Sequence, residues 1–267
     1  MRNTIFLSVL ILGILLPVYA KKDKFELKLD YSGKENWTYT IFYQSKCIFE
    51  KNKEKTPKET EITCDLNGTL SDNKERLSFA VNDVSVKSEL YDEEVQNKIK
   101  ENLSESTMDL ALVEGAPEID TVPDFSSEGI PEWNVYMQFS KLLPEMPKQA
   151  VKKGFTWERS VTLPIKTAQG TNICEVYRLY KVEEISPKKD TVLISWQFKY
   201  ATIEKDEEAK SLTQYIPIGG KGTGTAVIDI ANKVIKKASI DFQTPVATVE
   251  GSTVTWKENT EIELQEK

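Results

Sequence analysis

The feature that most constrains this chain is the alternation of apolar and polar residues in its C-terminal half. Every second side chain is apolar in one run: Val192, Ile194, Trp196, Phe198 and Tyr200. Successive side chains of a β-strand point to opposite faces, so this spacing predicts a strand with one buried face. The same period of two recurs over Phe25–Tyr31, Trp37–Tyr43, Leu77–Val81, Ala226–Ile230 and Val234–Phe242, with turns predicted at Gly33-Lys34 and Asn232-Lys233.

The segment Leu143–Ile165 predicts the end of a helix, a turn, a corner and the start of a strand. Pro144 and Pro147 cannot continue a helix, and Gly154 supplies backbone freedom for the corner. The strand that follows has apolar residues at every second position except Arg159, its one polar interruption: Phe155, Trp157, Val161, Leu163 and Ile165.

Only two segments have helical spacing. Val95, Ile99 and Leu103 recur every four residues, which predicts a helix over Tyr91–Leu103, and a second helix is predicted over Pro131–Leu143. About a dozen strands joined by short polar turns favour antiparallel pairing. The fold class predicted is therefore mainly β with two short helices, and one curved sheet is favoured over two separate domains.

Residues 1–20 have the pattern of an export signal. Arg2 precedes an apolar run, and Val18 and Ala20 occupy the small-residue positions of a cleavage site. The alternative is an uncleaved N-terminal anchor. We expect an exported protein, periplasmic or extracellular, that does not span a membrane after signal removal. Residues 21–267 are predicted to form a single β-rich domain: a first half over 21–113, an acidic connection over 114–130 and a second half over 131–267.

Charge and residue types exclude several classes of function. The net charge of −7 argues against a nucleic-acid partner, which requires a basic face. The chain contains no histidine, which removes histidine-based triads and zinc sites that need imidazole. Three cysteines cannot make a four-thiolate site. We therefore expect no metal, no cofactor and no catalytic residue, although a pair of carboxylates remains a possible basis for a hydrolase.

Cys47 and Cys64 flank a polar run, Lys51–Glu59, whose centre lies midway between them. If that run is a hairpin loop, the two cysteines fall opposite each other, and an exported chain can keep a disulfide. The alternative is two separate buried thiols. Cys174 is left over and is expected to be buried.

Two polar or flexible stretches have both a structural and a functional interpretation. Glu114, Glu118, Asp120 and Asp124 offer oxygen ligands to calcium, but the chain there lacks the spacing of a calcium loop, which favours a solvated connection. The glycines of Gly219–Gly224 precede a strand rather than a helix. They therefore favour a bend in a sheet over a phosphate-binding loop.

Aromatic residues are the remaining candidates for a binding site. Six of them lie on predicted strands with a continuous apolar face: Phe155, Trp157, Trp196, Phe198, Tyr200 and Trp256. An ordinary β core explains them. The alternative is that a strongly curved sheet leaves a cavity that these side chains line.

Three motifs carry a resemblance: Leu143-Pro144, the Gly-x-x-Trp of Gly154–Trp157, and the strand-turn-strand Gly222–Phe242. In these the chain resembles a loose family of uncharacterised exported bacterial β-rich proteins and, distantly, the periplasmic lipoprotein-carrier half-barrels. The resemblance implies a half-barrel or open barrel with helices on the concave face. For the carriers it also implies a cavity for acyl chains.

The leading hypothesis from the sequence is an exported non-enzymatic protein. It would bind a hydrophobic ligand, a lipid or a lipidated protein, inside the curved sheet. The first alternative is an envelope structural or protein-interaction module with a filled core. The second is a carboxylate-dependent hydrolase with two carboxyl groups facing each other across a cleft.

Overall fold

A computed structural model describes residues 24–119, 135–167, 170–188, 190–204, 219–244, 247–249 and 252–265. The predicted signal segment therefore lies outside the described residues, as does most of the predicted acidic connection. Twelve strands occur in the described chain: β1 Asn36–Lys51, β2 Glu54–Leu70, β3 Arg76–Ser88, β4 Thr107–Val113, β5 Ala116–Glu118, β6 Thr156–Thr167, β7 Gly170–Ile185, β8 Thr191–Glu204, β9 Gly219–Asp229, β10 Val234–Gln243, β11 Ala247–Val249 and β12 Ser252–Leu264.

All twelve strands belong to one antiparallel sheet. Eleven follow the order β5-β4-β3-β2-β1-β12-β10-β9-β8-β7-β6, and β11 pairs with β12. Within the described residues β5 and β6 do not pair with each other, so the sheet is curved but open. The prediction of a mainly β fold with a strongly curved antiparallel sheet is confirmed.

Two helices accompany the sheet. The first, α1, spans Glu93–Ser104, where a helix was predicted over Tyr91–Leu103. Its N-terminus is capped by Asp92, whose side chain accepts a hydrogen bond from the Val95 amide. The second, α2, spans Val135–Leu142 and contacts β9, β10 and β12. Phe139 of α2 also packs on Phe79 of β3 with ring centres 5.4 Å apart, so α2 lies on the concave face.

The concave face carries a continuous apolar core. Inward side chains of the strands and the buried sides of both helices belong to one cluster. The predicted alternation of Val192–Tyr200 is confirmed, because all five apolar side chains of that run are buried while Gln197 and Lys199 are exposed.

The glycines of β9 lie beneath aromatic rings of the neighbouring strands. A Cβ on Gly222 would come within 2.6 Å of the Phe198 ring, and a Cβ on Gly224 would overlap the indole of Trp196. Glycine is therefore needed here for close approach of the rings rather than for a turn. The phosphate-loop interpretation does not apply, because the segment is a strand.

The first alternating segment is not a strand, contrary to the prediction. Phe25 forms a single bridge with Val151, and Tyr31–Gly33 is a 3-10 turn. The predicted burial is nevertheless correct, since Leu27, Leu29 and Tyr31 are buried. The segment crosses one end of the sheet: the Asp30 amide donates to the Lys233 carbonyl and the Tyr31 amide to the Gly115 carbonyl.

Of the two alternatives for Cys47 and Cys64, the disulfide is not formed, and both are separate buried thiols. The β1–β2 hairpin turns at Asn52-Lys53, both with positive φ, so Cys47 pairs with Lys58 and Cys64 with Ile41. The two cysteines are therefore six positions out of register, about 20 Å along a strand. A disulfide requires Cα atoms within about 7 Å. The side chain of Cys174 lies outside the described residues.

Candidate ligand-binding cleft

An apolar cleft lies between the two open edges of the sheet. It is bordered by β5 on one side and by β6 on the other, and the segment Leu143–Lys148 lies behind it. We call this segment the strap and the opening the seam cleft. The cleft has a volume of about 410 Å³, and apolar groups predominate in its walls: Leu29, Val113, Pro117, Ile119, Met146 and Val161.

Side chains of β6 and β7 hold the strap by its backbone. Trp157 donates its indole N–H to the Glu145 carbonyl at 2.8 Å, and Arg159 donates to the Met146 carbonyl at 3.1 Å. Arg178 donates to the Leu143 carbonyl at 3.1 Å. The strap is not a strand, so its polar groups need partners of this kind.

Arg178 is the most buried charge of the cleft, at 4% exposure. It lies 3.4 Å from the Glu145 carboxylate and 3.3 Å from the Tyr180 hydroxyl. Burial alone would lower the pKa of Arg178. Tyr180, Tyr200 and Glu145 raise it above its ordinary value, so the guanidinium stays charged.

Glu145 is the acidic member of the cleft whose ionisation is perturbed. Burial raises its pKa, and the guanidinium groups of Arg178 and Arg159 oppose that rise. Glu118 of β5 lies close enough to add repulsion. Three cationic residues line the cleft, namely Lys148, Arg159 and Arg178, and two acidic residues, Glu118 and Glu145. Cationic side chains therefore outnumber acidic ones in the cleft.

Arg159 faces the cleft with spare hydrogen-bonding capacity. Described carbonyl groups accept from it at Met146 and Glu158, whereas a guanidinium has five N–H donors. It forms no ion pair with any residue that the structure describes. The sequence analysis noted Arg159 as a polar interruption but missed Arg178, whose position between Val176 and Tyr180 in a second apolar alternation is the signal that could have found it.

Three of the six aromatic candidates form one stack along β6, β7 and β8. Phe155 stacks on Trp157 with ring centres 6.0 Å apart, and Trp157 stacks on Tyr180 at 4.9 Å. Tyr180 in turn packs on Trp196 at 5.9 Å. These rings fill the space between the strands and the strap. None of the six candidates lines the seam cleft.

The other candidates lie further along the sheet. Phe198 and Tyr200 pack against Phe242 of β10, at 5.8 and 6.0 Å between ring centres. Trp256 is half-buried at the start of β12, where its backbone bonds to Thr244. Phe198 also borders a groove on the outer face of the sheet. For all six residues, ligand lining stays a prediction.

The helix α2 covers the concave face of the sheet next to Phe198, Tyr200 and Phe242. Lys141 forms a 2.6 Å ion pair with Glu258 of β12, and its ammonium lies 4.4 Å from the centre of the Phe242 ring. Gln138 accepts a hydrogen bond from Thr260 and donates to Glu258. These polar contacts orient α2 inside the sheet, so this part of the predicted cavity is filled.

The described residues contain no group of three or more acidic or cysteine side chains that could hold a metal ion. They also contain no helix long and apolar enough to cross a membrane. Of the acidic connection, Glu114 has a positive φ in the β4–β5 turn and Glu118 lines the cleft. Asp120 and Asp124 lie outside the described residues.

No family model and no curated protein matches the sequence. Among solved structures, lipovitellin, from a study of its lipid–protein interactions, is similar with a TM-score of 0.49 and 11% identity. That similarity covers 87% of this chain, which spans only 25% of the lipovitellin chain.

Two further solved structures have lower scores. The Salmonella type III secretion injectisome secretin InvG has a TM-score of 0.21 and 10% identity over 88% of this chain and 61% of its own. A proposed outer membrane lipoprotein-sorting protein domain from Vibrio parahaemolyticus has a TM-score of 0.14 and 8% identity over 85% of this chain and 83% of its own. All three scores are below 0.5, so none of these similarities assigns a function.

Proposed function

We propose that this protein is an exported, non-enzymatic binding protein that holds the acyl chain of a lipid or lipidated partner in the seam cleft. The observation that carries the proposal is the cleft itself, about 410 Å³ of mainly apolar space between two unpaired sheet edges. Ligand pockets are typically about 300–1,000 Å³ and mainly apolar with a few placed polar groups.

The charges of the cleft favour an acyl chain with an anionic head. Arg178 is committed to the strap and Glu145, whereas Arg159 has donors to spare at the wall of the cleft. A guanidinium binds a carboxylate or phosphate with two parallel hydrogen bonds. The apolar walls would then hold the chain while Arg159 holds the head.

Equilibrium binding of palmitate, measured by displacement of a fluorescent fatty acid, tests the proposal. Val161→Trp is expected to fill the cleft and reduce affinity at least about tenfold, since bulk replaces the space for the chain. Thr225→Trp, the same residue on the exposed outer face of β9, is the matched control. Absence of palmitate binding by the wild type would overturn the function, and unchanged binding by Val161→Trp would overturn the site.

The variant Arg159→Gln tests the contribution of the anionic head group to binding separately from that of the acyl chain. It is expected to weaken the binding of palmitate more than the binding of 1-hexadecanol, which has the same chain but no carboxylate. A lipidated peptide that binds more tightly than palmitate would identify the lipidated partner as the natural occupant. Equal losses for acid and alcohol would exclude the role proposed for Arg159.

The packed core favours a second candidate, an envelope interaction module that acts through a sheet edge. Within the described residues the outer edge of β6 is unpaired over twelve residues, and an edge of that length can receive another strand. This candidate predicts cross-links to a protein through β6 and no bound lipid after purification.

The carboxylate-dependent hydrolase has two observations in its favour. Glu118 and Glu145 line one cleft. Burial raises the pKa of Glu145, the direction that a general acid requires, although the ion pair with Arg178 opposes that rise. Loss of a measured hydrolytic activity in both Glu118→Gln and Glu145→Gln would be needed to establish this function.

A further inference from the structure

A row of lysines crosses the outer face of the sheet, on the side away from the core. In the strand register Tyr177 of β7 pairs with Lys199 of β8, and Lys199 pairs with Lys221 of β9. Lys221 pairs with Gln243 of β10, which pairs with Lys257 of β12. We call Lys199, Lys221 and Lys257 the lysine row. All three are exposed.

The lysine row lacks the local neutralisation that Lys46 and Lys237 have on the same face. Lys46 of β1 pairs in register with Lys257, and its ammonium lies 2.6 Å from the Glu59 carboxylate. The ammonium of Lys237 lies 3.2 Å from the Glu261 carboxylate. Within the described part of the chain, no member of the lysine row forms an ion pair. Like charges directly opposite each other on paired strands are destabilising. In a chain of net charge −7, this arrangement calls for an anionic partner.

Apolar side chains lie beside the lysine row. Tyr177 and Leu179 are 42% and 36% exposed, and both line an outer-face groove of about 590 Å³ together with all three lysines. Asp241, the acidic residue on the outer side of this groove, accepts a hydrogen bond from Asn259. Glu258, which also borders it, is paired with Lys141 on the inner side. The groove therefore combines cations with an apolar edge.

The spacing of the lysines indicates how many anions the partner must present. Neighbouring strands are about 4.8 Å apart, so Lys199 and Lys257 are separated by three spacings, about 14 Å. A row of this width matches an array of negative charges better than a single phosphate. A partner that fits the groove also accepts exposed tyrosine and leucine side chains.

We propose that this face docks on the surface of a membrane that contains anionic lipids. The lysine row lies at the level of the phosphate groups, and Tyr177 and Leu179 enter the interfacial region, where amphipathic rings are favoured. The inference does not depend on acyl binding in the seam cleft, because it uses different residues on the opposite face of the sheet.

Sedimentation of the protein with vesicles tests this docking. Binding is expected to vesicles of phosphatidylcholine mixed with phosphatidylglycerol, to be absent with phosphatidylcholine alone, and to weaken at high salt. The double variant Lys199→Gln/Lys221→Gln is expected to bind about tenfold more weakly or worse. The control Lys28→Gln/Lys237→Gln makes the same change of charge outside the lysine row and should bind as the wild type does.

Two further measurements distinguish a loss of vesicle binding from a loss of folding. Lys199→Gln/Lys221→Gln should unfold at the same or a higher temperature than the wild type, because it removes a like-charge pair. Tyr177→Ser/Leu179→Ser is expected to bind several-fold more weakly through loss of apolar insertion. Full binding by both double variants would overturn the proposal, as would equal binding to neutral vesicles. Binding of soluble polyglutamate without vesicle binding would overturn it in favour of an acidic protein partner.

Discussion

Lys141 of α2 and Glu258 of β12 form an ion pair of 2.6 Å inside the curved sheet, where both side chains are almost fully buried. The pair joins residues 117 positions apart and positions α2 across the concave face. Because both side chains are largely removed from water, each charge depends on the other for its stability in the folded state.

Removing one member of this pair should strongly destabilise the protein. We expect Lys141→Met to reduce the free energy of unfolding by about 3–5 kcal/mol, since Glu258 is left buried without its counter-charge. Urea denaturation measures the change. The double variant Lys141→Met/Glu258→Met should recover most of the loss. Lys46→Met, which breaks the exposed pair with Glu59, should cost no more than about 1 kcal/mol.

Adding one methyl group to β9 should disturb the aromatic packing. In Gly224→Ala the new Cβ overlaps the indole ring of Trp196, so the ring must shift, and we expect a loss of about 1–3 kcal/mol. Thermal unfolding and near-ultraviolet circular dichroism report the change. Gly33→Ala is the matched control, because nothing lies within 4 Å of its added Cβ. Equal effects of the two substitutions would contradict the close approach described for β9.

Stability should fall in alkaline solution because buried thiol and tyrosine groups, among them Cys64, Tyr31 and Tyr39, resist ionisation. Burial raises the pKa of Cys64 from 9.0 to about 12 and that of Tyr31 from 10.0 to about 12, and it raises the pKa of Tyr39 well above 10.0. Between the ordinary pKa of each group and its raised pKa in the folded protein, the unfolded chain has released a proton that the folded chain still holds. The free energy of unfolding should therefore decrease as pH rises from about 9 towards 12.

Urea denaturation at a series of pH values measures this decrease. Tyr31 and Tyr39 share a hydrogen bond of 2.9 Å between their hydroxyls, and Tyr39 donates to the Ile235 carbonyl. Tyr31→Phe/Tyr39→Phe should make the decrease less steep, even though it lowers stability at neutral pH. A stability that stays constant up to pH 12 would exclude the buried ionisable groups described here.

The two arginines of the cleft should differ in their effect on stability. Arg178→Met removes hydrogen bonds to Leu143 and Tyr180 and leaves Glu145 without its ion pair, so we expect a loss of about 3–5 kcal/mol. Arg159→Met removes one bond to the strap from a half-buried position and should cost about 1 kcal/mol. Chemical denaturation of both variants measures the two losses of stability. A larger loss for Arg159→Met than for Arg178→Met would contradict the larger contribution assigned to Arg178.

Local sequence patterns predicted the strands and helices well. Val192–Tyr200 has an unbroken period of two and forms the inner face of β8, and the four-residue spacing of Val95, Ile99 and Leu103 lies within α1. Gly154 has a φ of 80°, which explains why glycine is required at the corner before β6. These features depend on residues close in sequence, and such residues determine local conformation directly.

Features that depend on distant partners were not predictable. The Phe25–Tyr31 segment has a strand-like pattern, but its partners are turns and a bridge from three separate parts of the chain. The disulfide prediction failed because the two-residue turn at Asn52-Lys53, rather than the midpoint of the polar run, determines the register. The seam cleft combines residues from Leu29 to Arg178, and only the polar interruption at Arg159 hinted at it.

The position of β12 has a consequence for how the chain reaches its folded state. The last strand of the described residues, β12, lies between β1 and β10, and Tyr39 pairs with Leu264 across more than two hundred residues. Until residues 252–264 arrive, strands β1–β5 and β6–β10 can only be two separate sheets, each with an uncovered edge. A chain without residues 252–264 therefore cannot complete its central ladder, and its two partial sheets stay unjoined.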